Sequence, residues 1–240
     1  MVELNSFEFQ LFFGMTLVIL LFKLLLAIYL GKNVYDRKKN AGKLKIDFLF
    51  SIFILLIFLF ISRLFFIYFD FFLTEFNEAL YYQFPNYIYW KLGIIFSSIG
   101  IAFVLYIIDR KVYNFKFKGI FAIIVIIGIF MVIFIPINSA ADFNTASFLV
   151  IFAQIGTVLI PLMFIYIAIK TPGLRKTALF IAFGFIFYGL AALLINESFV
   201  TLMRDLFGPQ IHVILFFLFM LFKIIGLGLI TKGVTQFGLR

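Results

Sequence analysis

Residues 47–70 read DFLFSIFILLIFLFISRLFFIYFD, an apolar run with an acid at each end and one cation, Arg63, inside it. As a helix rising about 1.5 Å per residue the run is roughly 34 Å long. That matches a bilayer hydrocarbon core of about 30 Å plus a little of each interface. Asp47 and Asp70 then mark two membrane surfaces, and Arg63 lies between them in hydrocarbon. A charge at that depth costs at least about 2.5 kcal/mol unless it is paired, hydrated or able to reach an interface.

The rest of the chain has the same character. Of 240 residues, 65% are hydrophobic and 13% charged, against about 45–50% and about 25% in a soluble domain. Seven apolar segments are long enough to span, at roughly 8–31, 47–70, 89–109, 119–137, 147–169, 177–195 and 210–231. The expected fold is an all-α membrane protein, a single seven-transmembrane-helix bundle over 1–240. The N-terminal MVELNSFEFQ carries acids where a signal peptide would carry lysines, so the first segment is expected to be retained as a helix.

Sorted by connection, 15 of the 20 cations fall on one side of such a bundle and eight of the 11 acids on the other. The positive-inside rule puts the N-terminus outside and the C-terminus in the cytoplasm, in the cell membrane. The net charge of +9 is then a basic cytoplasmic face meeting the lipid bilayer and its anionic headgroups, with no nucleic acid called for. Two outer connections, LTEFNEALYYQF and SFVTLMRDLF, read as short helices lying in the interface. Tyr81, Tyr82, Tyr87, Tyr89 and Trp90 read as an outer aromatic belt.

Chemistry must come from few residues. There is no cysteine and one histidine, His212, which excludes disulfides, thiolate sites and multi-histidine metal sites. No P-loop, dinucleotide fingerprint or nucleophile elbow occurs, so no catalytic residue, metal or enzyme activity is expected. The interior cations stand out. Lys23 and Lys223 each lie nine residues before a further lysine, Lys32 and Lys232, which places both at similar depth with no acid there. Arg63 has Asp70 seven residues on, about two turns along one stripe. Gln154, Thr157 and Pro161 share one face of the fifth segment, and with Tyr188 and Lys223 could line a polar cavity. The candidate ligand-binding set is Lys23, Lys223, Arg63, Asp70, Gln154, Thr157 and Tyr188. Lys91 and His212 read as interface residues, and Pro161 as a kink.

Two stretches carry family resemblances. LFKIIGLGLITKG, with Lys223, loosely resembles the end of the retinal-binding helix of microbial rhodopsins. Phe219 stands where those proteins place a counterion aspartate, the third segment lacks a carboxylate at mid-depth, and Trp90 is the only tryptophan. Retinal on Lys223 is therefore not expected, and no cofactor is. YWKLGIIFSSIGIAFVLYIIDRKV, with Trp90 and Lys91 at its entry and Arg110 and Lys111 at its exit, resembles the third helix of seven-helix membrane sensor regions that precede histidine-kinase or cyclase domains. That resemblance implies a sensor working through a partner membrane or signalling protein. The resulting expectation is a non-enzymatic sensor or receptor-type module for a small amphiphilic or anionic ligand. The alternatives are a channel or small transporter for an anion or metabolite, in which the same lysines and Arg63 line an anion path, and a membrane assembly or scaffold subunit; PQ-loop transporters would carry a proline-glutamine pair in both halves, and here one occurs, at Pro209-Gln210.

Overall fold

A computed structural model describes residues 6–195, 197–208 and 210–238. Glu3, Pro209 and Arg240, on which parts of the sequence reading rest, lie outside the described residues. The described chain is helical: α1 (Ser6–Ala41), α2 (Phe48–Ile67), α3 (Asn86–Lys111), α4 (Ile120–Phe134), α5 (Ala140–Gln154), α6 (Gly156–Lys170), α7 (Arg175–Leu194), α8 (Glu197–Phe207) and α9 (Ile211–Gly238). α5 and α6 run on as one apolar stretch, and six helices are long and apolar enough to cross a membrane. The chain is thus a multi-pass membrane protein. The remaining apolar helix, α4, has 15 residues, about 22 Å.

Local chemistry explains where helices start and stop. Asp47 caps α2 by accepting from the Phe50 amide at 3.0 Å, which satisfies one of the orphan donors of a first turn. Its other oxygen pairs with Arg37 at 3.1 Å. α5 begins seven residues before the predicted segment because Ser139 accepts from the Asp142 amide at 3.2 Å and Asp142 accepts from the Asn138 amide at 3.1 Å. This reciprocal arrangement works as a capping box. α5 gives way to α6 at Ile155, upstream of Pro161, which has no amide hydrogen to donate within the helix.

The chain divides into two compact units, one holding Lys23–Gly156 and the other Ser6–Phe22 with the residues from Thr157 on. In the first unit α3 packs against α2 and α4, and α4 against α5. Gly128 makes the last contact possible, since a Cβ there would lie 2.7 Å from Ala153 Cα. In the second unit α7 pairs with α9, and α8 lies against α9. Gly184 and Gly226 face each other across the α7–α9 contact, and a Cβ on either would come within 2.8 Å of the other's carbonyl oxygen. Small residues of this kind let helix backbones approach where no hydrophobic drive separates oil from oil.

The two connections read as short interfacial helices differ from one another. The second forms α8, as predicted, with Leu202, Leu206 and Phe207 exposed and Val200 buried. The first is not an interfacial helix. After Ile67 the backbone widens into one π-turn, Tyr68–Leu73, then a short 3-10 turn, Glu78–Leu80. Thr74 closes the π-turn by donating its hydroxyl to Phe69 O at 2.8 Å. Tyr81 and Tyr82 of the connection, with Tyr87, Tyr89 and Trp90 at the start of α3, turn inward and pack around Phe69 and Phe143, with Trp90 4.8 Å from Phe143 by ring centroid, while Phe84 stays exposed. Inward packing won over the lipid interface because the widened turn and the start of α5 present a facing apolar surface.

Candidate functional site

Lys23 is the eighteenth residue of α1 and is 4% exposed. Its ammonium donates to the carbonyl of Leu59 on α2 at 3.0 Å. In a regular helix that carbonyl already serves the amide of Arg63, so its second lone pair receives the lysine. Arg63 lies close enough to influence Lys23 and Asp70 electrostatically. Asp70 sits in the π-turn, which interrupts the even two-turn spacing expected between it and Arg63. Nearby, Ser62 donates to Gly93 O at 2.6 Å.

In the second unit Lys223 is 8% exposed. It donates to Tyr188 O at 3.1 Å and stands 3.4 Å from the centroid of the Tyr188 ring. Lys223 lies one turn from Gly226, and Tyr188 one turn from Gly184, so the close glycine contact brings the ammonium to the neighbouring backbone. A ring face and a carbonyl together offset the loss of water at a cation. His212 meets the ring of Phe12 edge-on at 4.9 Å.

Gln154 donates to Ser97 Oγ at 3.1 Å, and Ser97 donates to Ile94 O at 2.9 Å. Of the seven predicted site residues, the structure thus joins Lys223 to Tyr188, while Lys23 is engaged by the Leu59 carbonyl of α2 and Gln154 by Ser97 of α3. Lys23 and Lys223 belong to different units, as do Gln154 and Thr157. Among the described residues no cluster of histidine and acidic side chains could hold a metal ion.

A different feature emerges between α3 and α4. A cavity of about 640 Å³ opens there, within the 300–1,000 Å³ usual for ligand sites. Small residues (Ala102, Gly119 and Ala122) form part of its lining beside the large side chains of Phe103, Phe115 and Phe130, and Tyr106 and Lys118 stand at its basic end. That end is built on Asp109. This carboxylate is 1% exposed and accepts from the Phe117 amide at 2.9 Å and the Gly119 amide at 2.7 Å. The loop it holds is strained, with φ of 61° at Phe115 and 50° at Lys118, a conformation non-glycine residues adopt at a cost. Arg110 reaches the Tyr106 hydroxyl at 3.4 Å.

At the other end of α4, Lys91 donates to Ile133 O at 3.2 Å and Ile135 O at 2.7 Å. It therefore caps the helix, a role that its spacing in the sequence does not reveal. Sequence reasoning also missed Asp109. Its one signal was an acid followed at once by Arg110 and Lys111 and, ten residues on, by Gly119. Comparison with known proteins finds no matching family model, no matching curated protein and no matching solved structure.

Proposed function

We propose that this chain is a non-enzymatic sensor or receptor-type membrane protein that binds an amphiphile in the α3–α4 groove. The observation that carries this reading is the groove itself: an apolar trench with a cation at one end, shaped by a loop that a buried carboxylate holds in a strained form. A ligand with an apolar body and a polar or anionic end is the chemistry that matches it. The resemblance of α3 to the third helix of seven-helix sensor regions agrees with that reading. It implies that occupancy is passed to a partner protein.

The proposal includes seven spans, with the N-terminus outside the cell membrane and the C-terminus inside. α4 is short of a hydrocarbon core by about 8 Å. The backbone beyond it is extended at Ile135, and three extended residues add roughly 10 Å. Lys91 occupies carbonyls at that end which lipid would leave without donors. A shorter span is also accommodated by local thinning of the bilayer.

The test uses the purified protein in nanodiscs with a diazirine-bearing fatty acid. Photolabelling is expected to concentrate on α3 and α4, on residues such as Phe103, Tyr106 and Ile126. Labelling spread evenly over lipid-accessible positions elsewhere, such as Ile151 and Phe183, would overturn the reading. Flux of small anions from liposomes would favour the transporter alternative.

A further inference from the structure

The α3–α4 groove raises a question of ligand class, and its two ends answer differently. From Gly119 to Ile133 the wall runs about 21 Å along α4, more than the roughly 15 Å depth of one leaflet's hydrocarbon. Over that length the lining is hydrocarbon, and it contains one cation and no acid. A chain-like apolar group fits such a trench, and it has to enter from the bilayer.

The basic end is more selective. Between Tyr106 and Ile120 stand Arg110, Lys111, Lys116 and Lys118, with Asp109 the one acid. Asp109 is buried and its two oxygens are taken up by the Phe117 and Gly119 amides. It therefore shapes the loop, and against four cations it leaves the segment with a net positive charge. Lys118 lies in the groove lining, and Arg110 is hydrogen-bonded to Tyr106, which also lines it. One cation thus stands in the lining at that end, and a second is joined to the lining through Tyr106. The loop places Lys118 there at a left-handed φ of 50°, a conformation the fold maintains through the Asp109 clamp.

We propose that the α3–α4 groove is a binding site for an anionic glycerophospholipid of the bilayer, with an acyl chain along α4 and the headgroup phosphate between Lys118 and Arg110. This rests on the amphiphile-binding reading and narrows it. Cation pairs suit phosphate oxygens, Arg through its fork and Lys as a point charge. A zwitterionic headgroup presents its own ammonium to the same end and loses part of that attraction.

The experiment compares diazirine-labelled phosphatidylglycerol and phosphatidylcholine with identical chains, each at low fraction in nanodiscs of unlabelled phosphatidylcholine. The wild-type protein is expected to show several-fold more groove labelling by the anionic lipid. Lys118→Asn combined with Arg110→Gln should abolish that preference while leaving fatty-acid labelling of the trench in place. Asparagine is chosen because it accepts left-handed backbone. Retained exchange protection at the Phe117 and Gly119 amides would show that the loop is intact. Equal labelling by both lipids in the wild type would overturn the anionic selection and leave amphiphile binding standing. Groove labelling by neither lipid nor fatty acid would overturn both. A preference that survives in the double variant with the loop intact would overturn the assignment to these two side chains.

Discussion

Asp109→Ala is expected to release the 112–119 loop while leaving the helices on either side folded. The side chain is 1% exposed and each of its oxygens takes one backbone amide, Phe117 at 2.9 Å and Gly119 at 2.7 Å. Hydrogen bonds to a charged group contribute about 1.5–3 kcal/mol each. Losing one therefore lowers the protection of its amide by roughly tenfold to a hundredfold. The loop also stores strain at Asn114, Phe115 and Lys118, all at positive φ, and has no reason to keep that shape without its clamp. Hydrogen exchange of the Phe117 and Gly119 amides in detergent or nanodiscs reads the effect directly. Asp109→Asn keeps one acceptor oxygen and turns an amino group toward the other amide, so one amide should stay protected and the other should not. Unchanged exchange at both amides in Asp109→Ala would refute the idea that this carboxylate builds the basic end of the groove.

Four further outcomes follow from the packing. Gly184→Ala should destabilise the protein by about 1–3 kcal/mol through overpacking at the α7–α9 contact, whereas Gly189→Ala, where nothing lies within 4 Å, should be neutral or better in thermal unfolding. Tyr188→Phe keeps the ring beneath the Lys223 ammonium and should leave stability unchanged; Tyr188→Leu removes it and should cost about 2 kcal/mol, a difference that Lys223→Met should erase in a double-mutant cycle. Lys91→Met should raise hydrogen exchange at the C-terminal end of α4, since carbonyls of Ile133 and Ile135 lose their donor. The chain has no cysteine, so single-cysteine variants at Lys116 and Asn138 report topology cleanly: labelling from opposite sides of the membrane is expected if α4 crosses, and labelling from the same side would reduce the count to six.

Much of the architecture was legible in order. Long apolar runs bounded by charge specify helices in oil, because every backbone polar group there must be satisfied within its own segment. That logic located each of the described apolar helices. It failed at the connection after Asp70, where LTEFNEALYYQF follows a π-turn and holds one 3-10 turn, with Tyr81 and Tyr82 packed about Phe143. Periodicity records which residues are apolar and leaves open whether lipid or protein covers them.

For the site, the sequence identified the interior cations Lys23, Arg63 and Lys223 and the absence of acids at the depth of the two lysines, since charge and depth are one-dimensional facts. The compensation of the two lysines came from elsewhere: backbone carbonyls of Leu59 and Tyr188 and the Tyr188 ring. A carbonyl has no signature in sequence, and its second lone pair becomes available only where another helix approaches closely enough, as Gly184 and Gly226 allow in the second unit. The same holds for Asp109 and Lys91, whose partners lie on backbone 8 to 44 residues away. The sequence by itself determined a membrane-spanning helical protein with a basic connection between α3 and α4. Only the tertiary structure decided that one buried carboxylate ties that connection into the end of an apolar groove, because a groove is a property of two helices and the space they leave between them.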